Sequence, residues 1–392
     1  MQGSLVVWSL VTGGFALAYS SLLFYLTWGF YGFRSRVDTS VNSEETSISY
    51  SPQTFFSVVI CARNEEAHIE QTLQDLLAQD FSKNQFEILV VNDASTDRTG
   101  AILEQYKNKI QVIHLEEDFG GDPDLRAKKR ALNSGINASK GDWIVCSDAD
   151  CRIPIHWLSK YASMIGSSSN RLILGPVLID HPKSVLDYFQ ELDFLGLMGL
   201  TEMGIQHGFY LANGANMAFE KSLYKELKGF QGSASQELGE DLFWVRKVSE
   251  IYPSRIGFAS FPYVPVYTKA MPKVRDLLKQ RIRWASATPS SGDSRLLLIS
   301  AGTFGLNLCL LTGLAAGFLN VLFWLPLGIF LLIKVFVDYI YLRKLANRYG
   351  LKGWTRFFVP SFFIQLLYFP LVGMLALLPG SVSWKGRVHH FL

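Results

Sequence analysis

Trp143-Ile144-Val145-Cys146-Ser147-Asp148-Ala149-Asp150 passes from apolar residues to two carboxylates within one short stretch. An apolar run of this length, bounded by polar residues, reads as a buried strand that ends in a polar loop. The same pattern occurs upstream. Phe55 to Cys61 runs into Ala62-Arg63-Asn64-Glu65, and Phe86 to Val91 runs into Asn92-Asp93-Ala94-Ser95-Thr96-Asp97. A further strand is expected at Gln111 to Leu115. Helical spacing fills the intervals: Glu65 to Ala78, the stretch up to Tyr106, and Ala127 to Asn137. Strand-helix alternation of this kind makes an α/β domain, a mostly parallel sheet flanked by helices. In such sheets ligands bind beyond the carboxyl ends of the strands. The polar strand ends therefore gather at one edge.

Asp148 and Asp150 carry the most chemistry. Residues i and i+2 of an extended segment point the same way. Two carboxylates on one side repel unless a cation sits beside them. Hard oxygen ligands suit Mg²⁺ or Mn²⁺, which take one or two carboxylates and complete their shell with water and substrate phosphates. The implied ligand is a diphosphate. Taken singly, each Asp or Asn also has an ordinary reading as a helix cap or turn residue. Glu240-Asp241 follows Leu238-Gly239 and opens a stretch of helical spacing (Phe243, Val245, Val248). An acid there is either a dipole partner for the helix or a general base. Lys279-Gln280-Arg281-Ile282-Arg283-Trp284, with Leu277 and Leu278, reads as an amphipathic helix at a membrane surface.

The two ends of the chain are apolar. Within 392 residues the hydrophobic fraction is 49% and the charged fraction 18%, below the usual quarter. No charged residue occurs from Leu5 to Phe33, about 40 Å as helix. That exceeds a bilayer core. Ala16-Leu17-Ala18 resembles a signal cleavage site, but no Lys or Arg precedes the run and the run continues past it. Arg34 and Arg36 place the next segment in the cytosol. Residues 296–333 are uncharged and too long for one span, so they fold back near Gly317–Asn320, with Lys334 and Asp338 toward the inner end of the second helix. Arg343, Lys344, Arg348, Lys352 and Arg356 fit a cytosolic loop. Phe357 to Leu378, with Pro360 and Pro370, spans with a kink or re-enters. The expected organisation is an anchor at 1–33, a linker at 34–53, and a cytosolic catalytic domain at 54–270. An interfacial segment at 271–295, about three spanning or re-entrant helices at 296–380 and a tail at 381–392 complete it. The net charge of +3 and the lack of a basic block argue against nucleic acid. Four scattered cysteines form no C-x-x-C pair and imply neither a disulfide framework nor zinc.

In this order the motifs resemble family 2 glycosyltransferases of the GT-A, nucleotide-sugar-binding fold, over roughly residues 55 to 290. The similarity extends to the membrane branch that includes cellulose, hyaluronan and poly-N-acetylglucosamine synthases and ceramide glucosyltransferase. It rests on Ala62-Arg63-Asn64-Glu65, Asn92-Asp93 through Asp97, Lys128 through Asn133, Asp148-Ala149-Asp150, Gly239-Glu240-Asp241 and Gln280-x-x-Arg283-Trp284. The resemblance implies an inverting enzyme that uses a UDP-sugar on a membrane lipid or lipid-linked glycan. It implies that Ala62, Asn64, Glu65 and Asp93 hold the nucleoside, that Lys128 approaches the diphosphate and that Asp148 contacts the nucleotide. Asp150, with Asp148, would ligate Mg²⁺ or Mn²⁺. Asp241, with Glu240 beside it, would be the base. Gln280 and Arg283 would steady the diphosphate, and Trp284 would wall the acceptor.

Several positions depart from the family pattern. Ala127 stands where Gly is common, and Gly239 where some relatives carry Thr. The gating pattern F-x-V-T-x-K of processive synthases meets only Phe357-Phe358-Val359-Pro360-Ser361, which lacks the Thr and Lys. A processive polysaccharide synthase is the competing enzyme, and a silent membrane scaffold the competing class. Val185 to Met203 either docks an acceptor or packs on the sheet. Gly214-Ala215-Asn216 either lines the acceptor side or makes a turn.

Overall fold

The computed structural model describes residues 2–37, 54–117, 122–125, 128–233, 239–259, 265–290, 293–378, 380–385 and 387–391. Most of the expected linker at 34–53 lies outside them, as do Ala127 and Leu238. The chain opens with α1 (Gln2–Val37). It then alternates through β1 (Phe56–Ala62), α2 (Ile69–Leu77), β2 (Phe86–Asp93), α3 (Thr99–Gln105), β3 (Gln111–Leu115), α4 (Lys128–Ala138) and β4 (Trp143–Asp148). The middle continues with α5 (Trp157–Ser167), β5 (Leu172–Leu174), β6 (Val177–Ile179), α6 (Val185–His207), β7 (Met217–Glu220) and α7 (Lys221–Glu226). It ends with α8 (Glu240–Ile251), β8 (Ile256–Phe258) and β9 (Val266–Thr268). Four helices come next: α9 (Val274–Ser290), α10 (Ser294–Leu319), α11 (Trp324–Arg348) and α12 (Thr355–Ala376). The hairpin of β10 (Gly380–Trp384) and β11 (Arg387–Phe391) covers the stretch read as a tail.

The main sheet has the order β3-β2-β1-β4-β7-β5-β8. Pairing is parallel from β3 through β4 and antiparallel on both sides of β7. Register fixes the site edge, because Cys61 stands opposite Asp148 and Ala62 opposite Asn92. The three motif-bearing strands therefore end level. Alternate residues of β1 bury toward opposite layers. Val58 and Ile60 pack with Ile69, Leu73 and Leu76 of α2, while Val59 faces α4 through Leu132 and Ile136. Gly135 lets α4 sit this close: a Cβ there would lie 2.6 Å from Val59 Cγ1 and 3.1 Å from Val91 Cγ2.

By length and composition four helices could cross a membrane: Gly3–Gly29, Ser294–Leu319, Val321–Arg348 and Thr355–Ala376. Leu17, Leu298 and Leu332, on three of them, are each 71% exposed, as suits a lipid-facing surface. The turn expected near Gly317–Asn320 is there, and the Asn320 side chain accepts from Leu322 N–H. Lys334 departs from the expectation. It lies near the middle of α11, turned inward, with its Nζ 2.5 Å from Asp338 Oδ2 and 2.9 Å from Gln365 Oε1. Tyr19 OH donates to the other Asp338 oxygen at 2.6 Å. A buried charge needs such partners, and the pair ties α1, α11 and α12 together.

The catalytic half and the bundle share one core, joined by α6. Its start is fixed by a capping box, Ser184 with Asp187. Leu195, Met198 and Met203 of α6 belong to the same buried cluster as Val58 of the sheet and Tyr341 and Leu345 of α11. Two of its acids, Asp193 and Glu202, are buried in pairs. Arg281 Nη2 stands 2.8 Å from Asp193 Oδ2, with side-chain exposures of 4% and 9%. Glu202 receives Arg348 Nη2 at 2.5 Å and Tyr349 OH at 3.1 Å. Arg281, read from sequence as a headgroup contact, is thus inside the protein. The surface reading of its segment assumed that every cation on the helix faces water. Removing one partner of a buried pair leaves the other uncompensated. Glu202→Ala is expected to cost about 3–5 kcal/mol, read as a lower unfolding temperature in detergent. An unchanged temperature would mean that water reaches Arg348.

Candidate active site

The level strand ends, the first turns of α4 and α8, and α9 enclose one cavity of about 620 Å³. Ala62, Asp93, Lys128, Asp148, Asp150, Glu240, Asp241, Gln280, Arg283 and Trp284 all line it. Asn64 and Glu65 do not. They sit at its rim behind Lys385, with Asn64 at φ 54. Asn64 Oδ1 accepts from Thr96 N–H at 2.8 Å, which pins the β2 loop to the β1 loop. Asp97 likewise accepts from Glu66 and Thr99 N–H, a turn-holding role.

Lys128 organises the charges. Its Nζ lies 2.7 Å from Asp148 Oδ1 and 3.0 Å from Glu240 Oε1. Burial alone would lower the ammonium's pKa, but Asp148 and Glu240 hold it well above the usual lysine range. Burial would likewise raise the Asp148 and Glu240 carboxyls, and Lys128 keeps both below their ordinary values. The Asp148 side chain still keeps 37% of its surface open, because protein surrounds it without filling the cavity. Asp241 follows a different course. Burial and the neighbouring Glu240 push its carboxyl up to about 6, against Lys128 and the N–H groups of Gly214 and Leu242. Gly214 N–H donates to Asp241 Oδ2 at 2.8 Å and Leu242 N–H to Oδ1 at 2.8 Å. Burial depresses the Arg283 guanidinium, while Glu240, Asp148, Asp241 and Asp150 all act to keep it charged.

Among the described residues Asp150 has only Cys151 Sγ, at 3.8 Å, as a hydrogen-bonding neighbour. Its carboxylate is therefore a hard-oxygen donor available beside Asp148. No three His, Cys, Asp or Glu side chains among the described residues converge as a ready-made metal cage. Two carboxylates facing an open cavity fit a divalent ion whose remaining ligands come from water and a diphosphate.

Trp284 forms an edge contact with Phe194 (5.5 Å between centroids), and the Arg281 guanidinium lies 4.2 Å from its ring centroid. Its orientation is therefore fixed from behind. Asn213, Gly214 and Ala215 line the cavity, whereas Asn216 is fully buried. Asn216 Oδ1 accepts from Trp157 Nε1 and Tyr161 OH, and its Nδ2 donates to Pro176 O, so it serves the core. Sequence reading missed Lys385. The ammonium of this hairpin-tip residue contacts Glu65, and its carbonyl accepts from Arg63 Nε at 3.1 Å. Burial pushes the Glu65 carboxyl up to about 7, opposed by Lys385. The signal was present: Val382-Ser383-Trp384-Lys385 keeps the Val and Lys of the pattern sought at Phe357, with Ser in place of Thr.

A model described as glycosyl transferase family 2 matches residues 57–227, and one described as glycosyl transferase family group 2 matches 143–379. The chain belongs to the family 2 glycosyltransferases. It is 28% identical over 238 residues to the probable glycosyltransferase YdaM of Bacillus subtilis (strain 168), covering 58% of this chain and 54% of that protein. It is 25% identical over 237 residues to the poly-beta-1,6-N-acetyl-D-glucosamine synthase of Staphylococcus aureus (strain COL), covering 58% and 53%. The chain thus spans about half the length of these curated relatives. Its fold is similar to that of the mannosyltransferase PcManGT from Pyrobaculum calidifontis, solved with GDP-Man and Mn²⁺. The TM-score there is 0.55 at 18% identity, with 93% of this chain and 99% of that one covered. This establishes the expected GT-A arrangement.

Lys385→Ala is expected to speed amide exchange across Gly380–Phe391 and at Asn64 and Glu65, measured by hydrogen–deuterium exchange. Unchanged exchange would mean that the backbone contacts from Arg63 suffice to hold the hairpin.

Proposed function

We propose that this chain moves a hexose or N-acetylhexosamine from a nucleoside-diphosphate sugar to a membrane lipid or lipid-linked glycan, with inversion at the anomeric carbon. UDP is the proposed carrier. The observation that carries the reading is the placement of Asp241. Its carboxylate has a raised pKa and lines the same cavity as Lys128, Arg283 and the Asp148–Asp150 pair, and that cavity continues among the C-terminal helices.

Direct displacement needs a base on the acceptor hydroxyl, and a carboxylate titrating near 6 is charged at neutral pH yet basic enough to take a proton. Gly214 and Leu242 N–H fix its direction. The leaving diphosphate gathers charge, which Lys128 and Arg283 offset by position alone, without rearrangement. Asp150 and Asp148 would hold Mg²⁺ or Mn²⁺, which supplies further neutralisation of the diphosphate when bound. Ala62, Asp93, Asn64 and Glu65 would seat the nucleoside. Gln280 would steady the diphosphate from α9, and Trp284 offers a flat face to the acceptor. Under this proposal α1, α10, α11 and α12 span the cell membrane with the catalytic domain in the cytosol, since Arg343, Lys344, Arg348, Lys352 and Arg356 all fall on one side.

The first experiment is nucleoside-diphosphate release by protein in lipid nanodiscs, offered UDP-glucose, UDP-N-acetylglucosamine, UDP-galactose and GDP-mannose. Metal-dependent release with one donor is expected, and full turnover in excess EDTA would remove the metal from the scheme. Asp241→Asn is expected to lower the rate by about 10²–10⁴-fold while donor binding, measured by calorimetry, survives. Loss of donor binding as well would contradict the role given to Asp241.

The acidic limb of the pH profile should follow the same group. Asp241 must be ionised to accept a proton, and its folded pKa is raised. The rate should therefore be full above about 6 and fall about tenfold per unit below it. A profile flat down to about pH 5 would assign the base elsewhere.

A further inference from the structure

The cavity holding Asp241 does not end at the sheet edge. It runs on between α6, α10 and α12, and Ser361, Phe362 and Gln365 are part of its wall. Phe362 and its aromatic neighbours suit hydrocarbon, but Ser361 and Gln365 do not. Ser361 is 4% exposed, and its Oγ has no hydrogen-bond partner among the described residues. A helical Ser ordinarily satisfies itself on the carbonyl one turn back, and a buried hydroxyl left unpaired is costly. Gln365 stands one turn further along α12, on the same face. Its Oε1 is taken by Lys334 Nζ at 2.9 Å. An ammonium can only donate, so the amide oxygen must face Lys334. The amide N–H₂ then points away from it, and no bond from that nitrogen occurs among the described residues. Two hydrogen-bond donors thus stand in a row on α12, along a wall that also carries Ser300, Thr303 and Asp338.

A pair of donors one helical turn apart calls for an oxygen acceptor. Thr355 opens α12 beside the basic loop, which puts Ser361 about 9 Å and Gln365 about 15 Å along the helix. Both line the part of the cavity that continues from the sheet edge among the C-terminal helices. Resting on the reading of a membrane acceptor, we propose that Ser361 and Gln365 form a subsite for a carbonyl that joins that acceptor's head to its chains. The acceptor is then an acyl lipid, with an ester- or amide-linked chain, and not an isoprenoid carrier. A polyprenyl chain carries no carbonyl and would leave both donors unpaired. Its exclusion would come from that unpaired cost, as sites built around hydrogen bonds reject analogues lacking the partner.

The test compares three probes on the full chain in detergent, each titrated and read by native mass spectrometry: a 1,2-diacylglycerol, the matching 1,2-dialkylglycerol ether, and a polyprenyl phosphate. The diacyl and dialkyl compounds share the headgroup and chain length and differ in the two carbonyls. The expected result is diacylglycerol bound about fivefold or more tighter than the ether, the worth of one or two hydrogen bonds. Ser361→Ala should narrow that ratio to within about twofold. This variant removes an unpartnered hydroxyl, so the fold should tolerate it, and an unchanged unfolding temperature checks that. Equal binding of ester and ether by the unaltered protein, or a ratio untouched by Ser361→Ala, overturns the subsite. Preference for the polyprenyl phosphate overturns it too, while leaving a membrane acceptor in place. If no amphiphile binds but a soluble glycan accepts sugar, the underlying reading of the acceptor fails instead.

Discussion

The Lys128 ammonium, held between Asp148 and Glu240, is the contact on which the site depends. Asp148, Asp150, Glu240 and Asp241 come from two distant parts of the chain and converge on one cavity. Like charges at that density would drive the β4 loop and the α8 N-terminus apart or force protons onto the acids. Lys128 bonds one carboxylate from each side and so joins the two halves electrostatically. The consequence is division of labour. The two acids that touch Lys128 are kept ionised, while Asp241, reached by it only at longer range, is left with a raised affinity for protons. Environment alone gives neighbouring acids different work.

A second constraint acts further out. The bundle of apolar helices and the catalytic sheet meet through α6, which is buried along much of its length and carries acids where an apolar core would ordinarily forbid them. Asp193 and Glu202 are tolerated because Arg281 and Arg348 arrive from α9 and α11. Such pairs bring little net stability and instead fix register. Here the register matters, since α9 presents Gln280, Arg283 and Trp284 to the cavity. A half-turn of α9 about its axis would withdraw all three.

The sheet and its polar edge were legible because period-two burial and turn chemistry are local signals. Val58 and Ile60 alternating with Val59, followed by Asn64 and Glu65, say as much in the sequence as in the fold. What stayed hidden depended on partners far along the chain. Nothing near Glu202 announces Arg348, and Arg281 resembles any surface cation until Asp193 is placed beside it. Asn216 was grouped with Gly214 by adjacency, although one turns to Trp157 and Tyr161 and the other to Asp241. Lys385 escaped for a related reason. The Phe357 stretch resembles its motif only in part, and the hairpin geometry is what returns Lys385 to Glu65.

The unbroken core between sheet and bundle bears on how such enzymes diversify. Leu195, Met198 and Met203 pack upward on β-strand residues and sideways on Tyr341 and Leu345 within a single cluster. No seam exists there, among the described residues, along which a catalytic module could be traded for another. Variation in acceptor is then confined to side chains lining the cavity, whereas wholesale exchange of the apolar helices would have to carry α6 and α9 along with them. The heritable unit is the sheet, the two connecting helices and the bundle taken together.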